Sequence, residues 1–342
     1  MKAARIHSFG APDVVVVEDV LMPSPGSGEV LVRVMAAGVA PWDAIIREGK
    51  SKISPQPPLT LGSDLSGVVE KVGADVTDFA PTDEVYGVAN PQFCGAQAEF
   101  AVATAGMVAR KPQSLNYVEA ASAPVIAVTA WQMLFEYAQA MRGQTAMVVG
   151  AAGNVGSYAV QMALDAGIHV VAIAHLDDEG LLRSLGVKSI IDSSKPAFEK
   201  DLPQVDAILD TVGGSTFQRC VAALKPGGKL VTSVSTQPQP AGAVFFYAEV
   251  TTARLQTLTQ LFDAGRIKTR VGSILPLSEA RQAQAMLAGA PHKPGKIVLE
   301  IGHLQQYTSA QQSAVTDAGR GTTAEKLIAL GPDMERLKEK SK

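Results

Sequence analysis

Cysteine is scarce in this sequence. Cys94 and Cys220 stand far apart, with no Cys-x-x-Cys pair and no His-rich neighbourhood, which argues against a disulfide framework and against a four-cysteine zinc lobe. The five histidines (His7, His169, His175, His292, His303) are scattered, so structural roles are expected of them rather than metal ligation. Long apolar runs are missing too. Nothing approaches the ~18 residues that a membrane span needs, and the start, Met1-Lys2-Ala3-Ala4-Arg5-Ile6-His7, lacks the apolar stretch of a signal peptide. A cytoplasmic protein without a membrane partner is expected. No block of Lys or Arg tracks a phosphate backbone, and the net charge of -3 is close to balanced, so nucleic acid is not an expected partner. What the chain does have is 342 residues, 46% of them hydrophobic and 18% charged, enough to bury a large core and to form two domains.

From residue 1 to about 124, short β-branched runs alternate with Gly and Pro: Val14 to Val17, Glu29 to Met35, Ser66 to Val72 and Glu99 to Ala103, with turns at Pro23-Ser24-Pro25-Gly26 and Pro57-Pro58. That pattern predicts a compact β-rich domain. The texture changes near Tyr117. Asn116 can cap a helix through Ala121, and an apolar stretch of helical length runs from Val125 to Ala140. Strands and helices then alternate: strands at Thr145 to Val149, His169 to Ala174, Ser189 to Ile191, Val205 to Leu209 and Lys229 to Val234, and helices near 154–166, 178–185 and 214–224. Parallel strands need such crossover connections, so the succession predicts a doubly wound α/β domain over 125–270. A helix from Thr251 to Ala264 leads to strands at Val271 to Leu275 and Lys296 to Ile301, separated by a helix at Ser278 to Leu287. The economical division returns 271–302 to the first domain. Residues 303–342, rich in Gln, Ser, Thr and Ala and ending in a charged run, form an extension of unassigned role in which two short helices separated at Gly331-Pro332 are expected.

The strongest motif is Val148-Val149-Gly150-Ala151-Ala152-Gly153-Asn154-Val155-Gly156, placed directly between an apolar strand and a helix. Gly150 allows the tight turn, Gly153 the approach of backbone to a pyrophosphate, and Gly156 close packing of helix on strand; the free N–H groups of the helix start then hold phosphates. The spacing departs from G-x-G-x-x-G, and it is the surrounding β-α-β succession that makes the motif informative. At the end of the second strand the chain reads Ala174-His175-Leu176-Asp177-Asp178. An acidic residue here favours the ribose hydroxyl of NAD and a basic cluster the 2'-phosphate of NADP. This segment offers both, with Asp177 also a helix cap and His175 or Arg183 within reach of a phosphate.

The stretch Ala151-Ala152-Gly153-Asn154-Val155-Gly156-Ser157, followed by Val160-Gln161-Met162-Ala163, resembles the fingerprint of the medium-chain dehydrogenase/reductase superfamily, in its quinone oxidoreductase branch. Ordered matches continue through residues 1 to 302, among them Gly28-Glu29-Val30-Leu31-Val32-Arg33-Val34, Gly62-Ser63-Asp64-Leu65-Ser66-Gly67, Asp83-Glu84-Val85-Tyr86-Gly87, Leu224-Lys225-Pro226-Gly227-Gly228 and Gly295-Lys296-Ile297-Val298-Leu299. The resemblance implies an α/β fold, a GroES-like β-rich catalytic domain with an inserted Rossmann dinucleotide-binding domain. Zinc alcohol dehydrogenases of this superfamily carry Cys in a Gly-Val-Cys-His-type segment and a Gly-His-Glu pair. Here the corresponding residues are Ala40-Pro41 and Ser63-Asp64, poor zinc ligands, so no metal is expected.

By the same resemblance the cofactor contacts are Thr129, Gly150, Ala151, Ala152, Gly153, Asn154, Val155, Gly156, His175, Ser233, Val234, Phe246 and Lys296; Trp42, Asp43, Asn90 and Phe93 line the substrate pocket; Tyr86 is the available phenolic proton donor. Asp43 also reads as a capping residue, since it precedes a helix. Ala40 stands where the family often has Asn. Without a Lewis acid, reduction by NADPH, or by NADH, of a quinone or of the conjugated double bond of an α,β-unsaturated carbonyl suits the site better than alcohol oxidation. The alternatives are a non-catalytic NADPH-binding sensor or interaction protein, and an enoyl-thioester reductase. Relatives imply a homodimer through the edge of the Rossmann sheet.

Overall fold

The computed structural model describes residues 1–235 and 238–302; the expected helices of the 303–342 extension lie outside the described residues. Met1–Ile301 form one compact unit. Its strands are β1 (Lys2–Ile6), β2 (Val16–Asp19), β3 (Glu29–Val39), β4 (Leu59–Thr60), β5 (Asp64–Val72), β6 (Glu84–Val88), β7 (Phe100–Thr104), β8 (Val108–Arg110), β9 (Thr145–Val149), β10 (His169–Ala174), β11 (Ser189–Asp192), β12 (Val205–Asp210), β13 (Leu224–Thr232), β14 (Val244–Phe245), β15 (Val271–Pro276) and β16 (Lys296–Glu300). Its helices are α1 (Pro41–Arg47), α2 (Tyr117–Ala121), α3 (Pro124–Trp131), α4 (Asn154–Asp165), α5 (Glu179–Ser184), α6 (Gly214–Cys220), α7 (Thr252–Asp263) and α8 (Ala280–Leu287).

The β-rich half is built on β3. Its eleven residues read EVLVRVMAAGV and are buried along almost the whole length, so both faces must be covered. The strand is long enough to pair with β5, β7 and β16, giving a sheet ordered β15-β16-β3-β5-β6-β8 with β7 also on β3. The pairing of β16 with β3, Ile297 opposite Val39 and Val298 opposite Gly38, joins the end of the described chain to its beginning. A second, three-stranded sheet is ordered β2-β1-β4.

The α/β half is a six-stranded sheet ordered β11-β10-β9-β12-β13-β14 with every pairing parallel. Strand β9 is central, with Ala146, Met147, Val148 and Val149 fully buried between layers. The order reverses between β9 and β12, and in such sheets the crevice outside the carboxyl ends of the strands at this reversal takes the ligand. Both β9 and β10 have the bounds that the sequence predicts. The helix expected from Val125 to Ala140 does not run through. Buried α3 stops at Trp131, and a π-helix, Gln132–Tyr137, continues it, a wider turn that a 3.6-residue periodicity does not mark. At the start of α2 the expected cap is present in full: Asn116 accepts from the Glu119 N–H at 2.9 Å, and Glu119 accepts from the Asn116 N–H at 3.0 Å.

Candidate active site

At the carboxyl end of β9 the chain turns through Gly150, whose φ of +79° belongs to the left-handed region; a side chain there would also put Cβ 2.5 Å from Thr211 Oγ1. Gly156, in the first turn of α4, lies against the loop so closely that a Cβ would overlap the Gly150 carbonyl. Between them Gly153 is the N-cap of α4, and the N–H groups of Asn154, Val155 and Gly156 have no acceptor inside the helix. The neighbouring loop after β12 is held by Asp210. This fully buried carboxylate accepts from the N–H groups of Val212 (3.1 Å) and Gly213 (2.9 Å) and from Thr232 Oγ1 (2.6 Å). Burial pushes the Asp210 carboxyl up, and those donors pull it back. A cradle that side chains would fill, next to free helix N–H groups, fits a dinucleotide pyrophosphate.

Arg270, which sequence reasoning missed, donates from Nη1 to the carbonyl of Ala152 at 2.9 Å. Its half-buried guanidinium has no carboxylate partner among the described residues. No local pattern announces it, since 118 residues separate the two partners.

Where an adenosine ribose would lie, β10 and β11 end side by side, with Ala174 opposite Asp192. His175 is exposed there. Asp192 accepts from Ser194 N (3.0 Å) and Oγ (2.6 Å); these bonds, with the nearby charges of Lys195 and His175, hold its carboxyl below the usual range. Lys195 was also missed. Arg183 is committed elsewhere, to Glu179 at 3.0 Å and to the carbonyls of Val187 (3.2 Å) and Lys188 (2.7 Å).

The acceptor side departs further from expectation. Thr129 is nearly buried in α3 and spends its hydroxyl on the Val125 carbonyl at 2.7 Å. Ser233 and Val234 follow β13, with Val234 N donating to Thr232 Oγ1 at 3.0 Å, and Phe246 stacks on Tyr137 of the π-helix at 4.3 Å. Trp42 is half-buried, donates from Nε1 to Ser63 Oγ at 2.8 Å and meets Phe93 edge-on at 6.3 Å. Asn90 is turned away to its own loop, donating to the Cys94 carbonyl at 2.7 Å; with Cys94 it lines a cavity of about 450 Å³ beside Leu59, Thr60 and Phe100, which Trp42, Asp43 and Phe93 do not line.

Three more of the expected residues are buried and hold the fold together. Tyr86 is completely buried, its hydroxyl donating to the Leu255 carbonyl (2.7 Å) and accepting from Thr259 Oγ1 (3.1 Å); it fastens β6 to α7 and faces no cleft, and burial raises its phenol well above the ordinary value. Lys296 buries its ammonium against Asp64 Oδ2 at 3.0 Å, 4.7 Å from the centre of the Trp42 ring. Asp64 in turn accepts from the Val125 N–H at 3.0 Å, at the start of α3. Asp43 is wholly buried and lines no open pocket; it caps α1, accepting from the Ala40 N–H at 2.9 Å. Among the described residues no group of three His, Cys, Asp or Glu is placed to hold a metal ion.

Residues 26–113 match the family described as "Alcohol dehydrogenase GroES-like domain", and residues 185–299 the family described as "Zinc-binding dehydrogenase". The sequence is 31% identical over 326 residues to the mitochondrial NAD(P)H oxidoreductase RTN4IP1 of Mus musculus, covering 80% of this chain and 82% of that one. The chain belongs to the medium-chain dehydrogenase/reductase superfamily. Within the superfamily it falls in the quinone oxidoreductase-like branch, among NAD(P)H-dependent oxidoreductases. It is 32% identical over 313 residues to a chloroplastic NADPH-dependent alkenal/one oxidoreductase of Arabidopsis thaliana, covering 87% of this chain and 79% of that one. Among solved structures, a quinone oxidoreductase from Coxiella burnetii matches with a TM-score of 0.81 at 27% identity, covering 88% of this chain and 99% of that chain. Among the described residues no helix is long and apolar enough to cross a membrane.

Proposed function

We propose that this protein is a zinc-independent reductase that uses NADPH, or NADH, to reduce a quinone or the conjugated double bond of an α,β-unsaturated carbonyl. What supports the reading is that Ala40 and Ser63 stand where the resemblance puts the Cys and His ligands of the superfamily's zinc enzymes, beside Trp42 and the buried Lys296–Asp64 pair. Alanine offers no donor atom, a serine hydroxyl is a poor zinc ligand, and the Asp64 carboxylate is paired with Lys296. A reduced nicotinamide held here would supply the hydride that reduction of an enone or a quinone needs, with the matching proton drawn from solvent. The Gly150–Gly156 loop holds the pyrophosphate, Thr129, Ser233, Val234 and Phe246 flank the nicotinamide, and Trp42 and Phe93 form the apolar wall against which a flat acceptor aligns.

NADPH is favoured through His175 and Lys195, against the acidic Asp177, Asp178 and Asp192. In this reading residues 1–124 with 271–302 make the catalytic domain and 125–270 the cofactor domain, the compartment is the cytoplasm, and two copies associate along edge strand β14, next to which Tyr247 is largely exposed. The test is to titrate the protein with NADPH and NADH by fluorescence, then to follow cofactor absorbance with an ortho-quinone, a simple alkenal and an enoyl thioester. Oxidation of the cofactor with the quinone or the alkenal is the expected result, a preference for the thioester redirects the substrate class, and tight binding with no oxidation supports a sensor instead.

A further inference from the structure

Asp43 and Gln97 share an unusual defect. Both side chains are wholly inaccessible to solvent. Asp43 Oδ2 accepts from the Ala40 N–H at 2.9 Å and from Gln97 Nε2 at 3.3 Å, yet Asp43 Oδ1 has no partner and neither has Gln97 Oε1. An ionised carboxylate carries acceptors alone, and an amide offers donors at only one of its two ends. Whichever way the Gln97 amide is turned, ionised Asp43 therefore leaves an acceptor oxygen without a protein donor away from bulk solvent, where an unsatisfied polar group is strongly unfavourable. A proton on Oδ1 would turn that stranded acceptor into a donor, and Gln97, already joined to Asp43 through Nε2, carries a buried acceptor that lacks one.

The surrounding charges point the same way. Lys296 on β16, Asp64 on β5 and the Cys94 thiol in the loop after β6 face Asp43. Lys296 is already paired with Asp64 at 3.0 Å, so an ionised Asp43 would be a second buried anion sharing one cation.

We propose that Asp43 is a neutral carboxylic acid in the folded protein, that its Oδ1–H donates to Gln97 Oε1, and that this acid–amide pair positions the first turn of α1, and with it the Trp42 ring, at the acceptor side of the cleft. Burial raises the Asp43 carboxyl to about 7, against the opposing pull of the Ala40 N–H and of Lys296. Asp43 touches no reacting atom; it acts through Trp42, its neighbour in α1, whose indole is fixed by Ser63 and lies over Lys296. Loss of the proton sets Oδ1 against Gln97 Oε1 and loosens the start of α1. The acceptor KM then rises above about pH 7 while affinity for NAD(P)H, set at the Gly150 loop, stays level.

The kinetic part of this rests on the reductase reading; the protonation does not. Asp43→Asn is a neutral isostere whose amide can donate to Gln97 Oε1. In infrared difference spectra of the full chain, a carboxylic-acid carbonyl band that titrates near pH 7 is expected in the wild type and is absent in the variant. The Tm advantage of the variant should grow by roughly 7–14 °C between pH 4 and 7 and then stay constant, since the unfolded chain ionises Asp43 first. In turnover, the pH limb of the acceptor KM should vanish in Asp43→Asn. A wild type showing no such acid band at pH 5, or a variant with a constant Tm deficit at every pH, overturns the proposal. If the variant does not fold, the loss of the acid band near pH 7 in the wild type decides; if the wild type binds no cofactor or turns over no acceptor, the reductase reading fails while the band and the melts still decide the protonation.

Discussion

Replacing Lys296 by Met keeps most of the apolar stem and removes the ammonium. Asp64 is then left with the Val125 N–H as its remaining partner, inside a region where the two side chains are 2% and 1% exposed. Truncating one partner of a buried ion pair destabilises by about 3–5 kcal/mol, because the other charge stays behind. Loss of the ammonium under the Trp42 ring adds on the order of 1 kcal/mol. At about 2–4 °C per kcal/mol, the Tm should fall by roughly 8–24 °C. Scanning calorimetry at pH 7 measures that drop, and fluorescence titration with NADPH at 15 °C measures cofactor affinity on the folded variant, where about a twofold change or less is expected because Nζ is buried in its pair with Asp64. Lys296→Met combined with Asp64→Asn removes the stranded charge while an amide oxygen still accepts from Val125, so most of the lost stability should return. An unchanged Tm together with a tenfold weaker hold on NADPH would refute the reasoning: Lys296 would then contact the cofactor, as the family resemblance implied.

Tyr86→Phe should lower stability by about 1–2 kcal/mol by leaving the Leu255 carbonyl short of a donor, with kcat unchanged; a tenfold fall in kcat at constant Tm would restore the phenol as an acid. Arg270→Met should weaken NADH and NADPH alike by about tenfold, as expected for one charge-assisted bond to the shared pyrophosphate, and binding constants indistinguishable from wild type would remove Arg270 from the site. Gly156→Val places a branched side chain against the Gly150 carbonyl, so dinucleotide binding should be lost in titration even in protein that still folds; retained micromolar affinity would contradict the loop assignment.

The sequence pattern carries furthest where structure is local. Gly150 to Gly156 announce a strand-turn-helix because a glycine with positive φ follows an apolar strand and another meets the loop backbone, and both requirements lie within seven residues. Asn116 and Glu119 announce a helix start for the same reason. Failure sets in with distance. Lys296 meets Asp64 across 232 residues and Tyr86 meets Leu255 across 169, and no periodicity in either segment encodes the other. A phenol on a strand beside a cleft is chemically a fair donor; only the docking of α7 shows that its hydroxyl is already bound. Strands as short as β4 and β14, two residues each, leave no alternation to detect, and their place is set by their neighbours in the sheet.

Helix α7 is sewn to the β-rich half by Tyr86, whose hydroxyl meets the Leu255 carbonyl and Thr259 Oγ1, and by Thr252 Oγ1 donating to the Val108 carbonyl at 2.7 Å. These stitches lie along one helix, so they resist sliding and separation far more than they resist turning. Removing these bonds should therefore loosen the hold of α7 on β6 and β8 while leaving the Gly150 loop as it is.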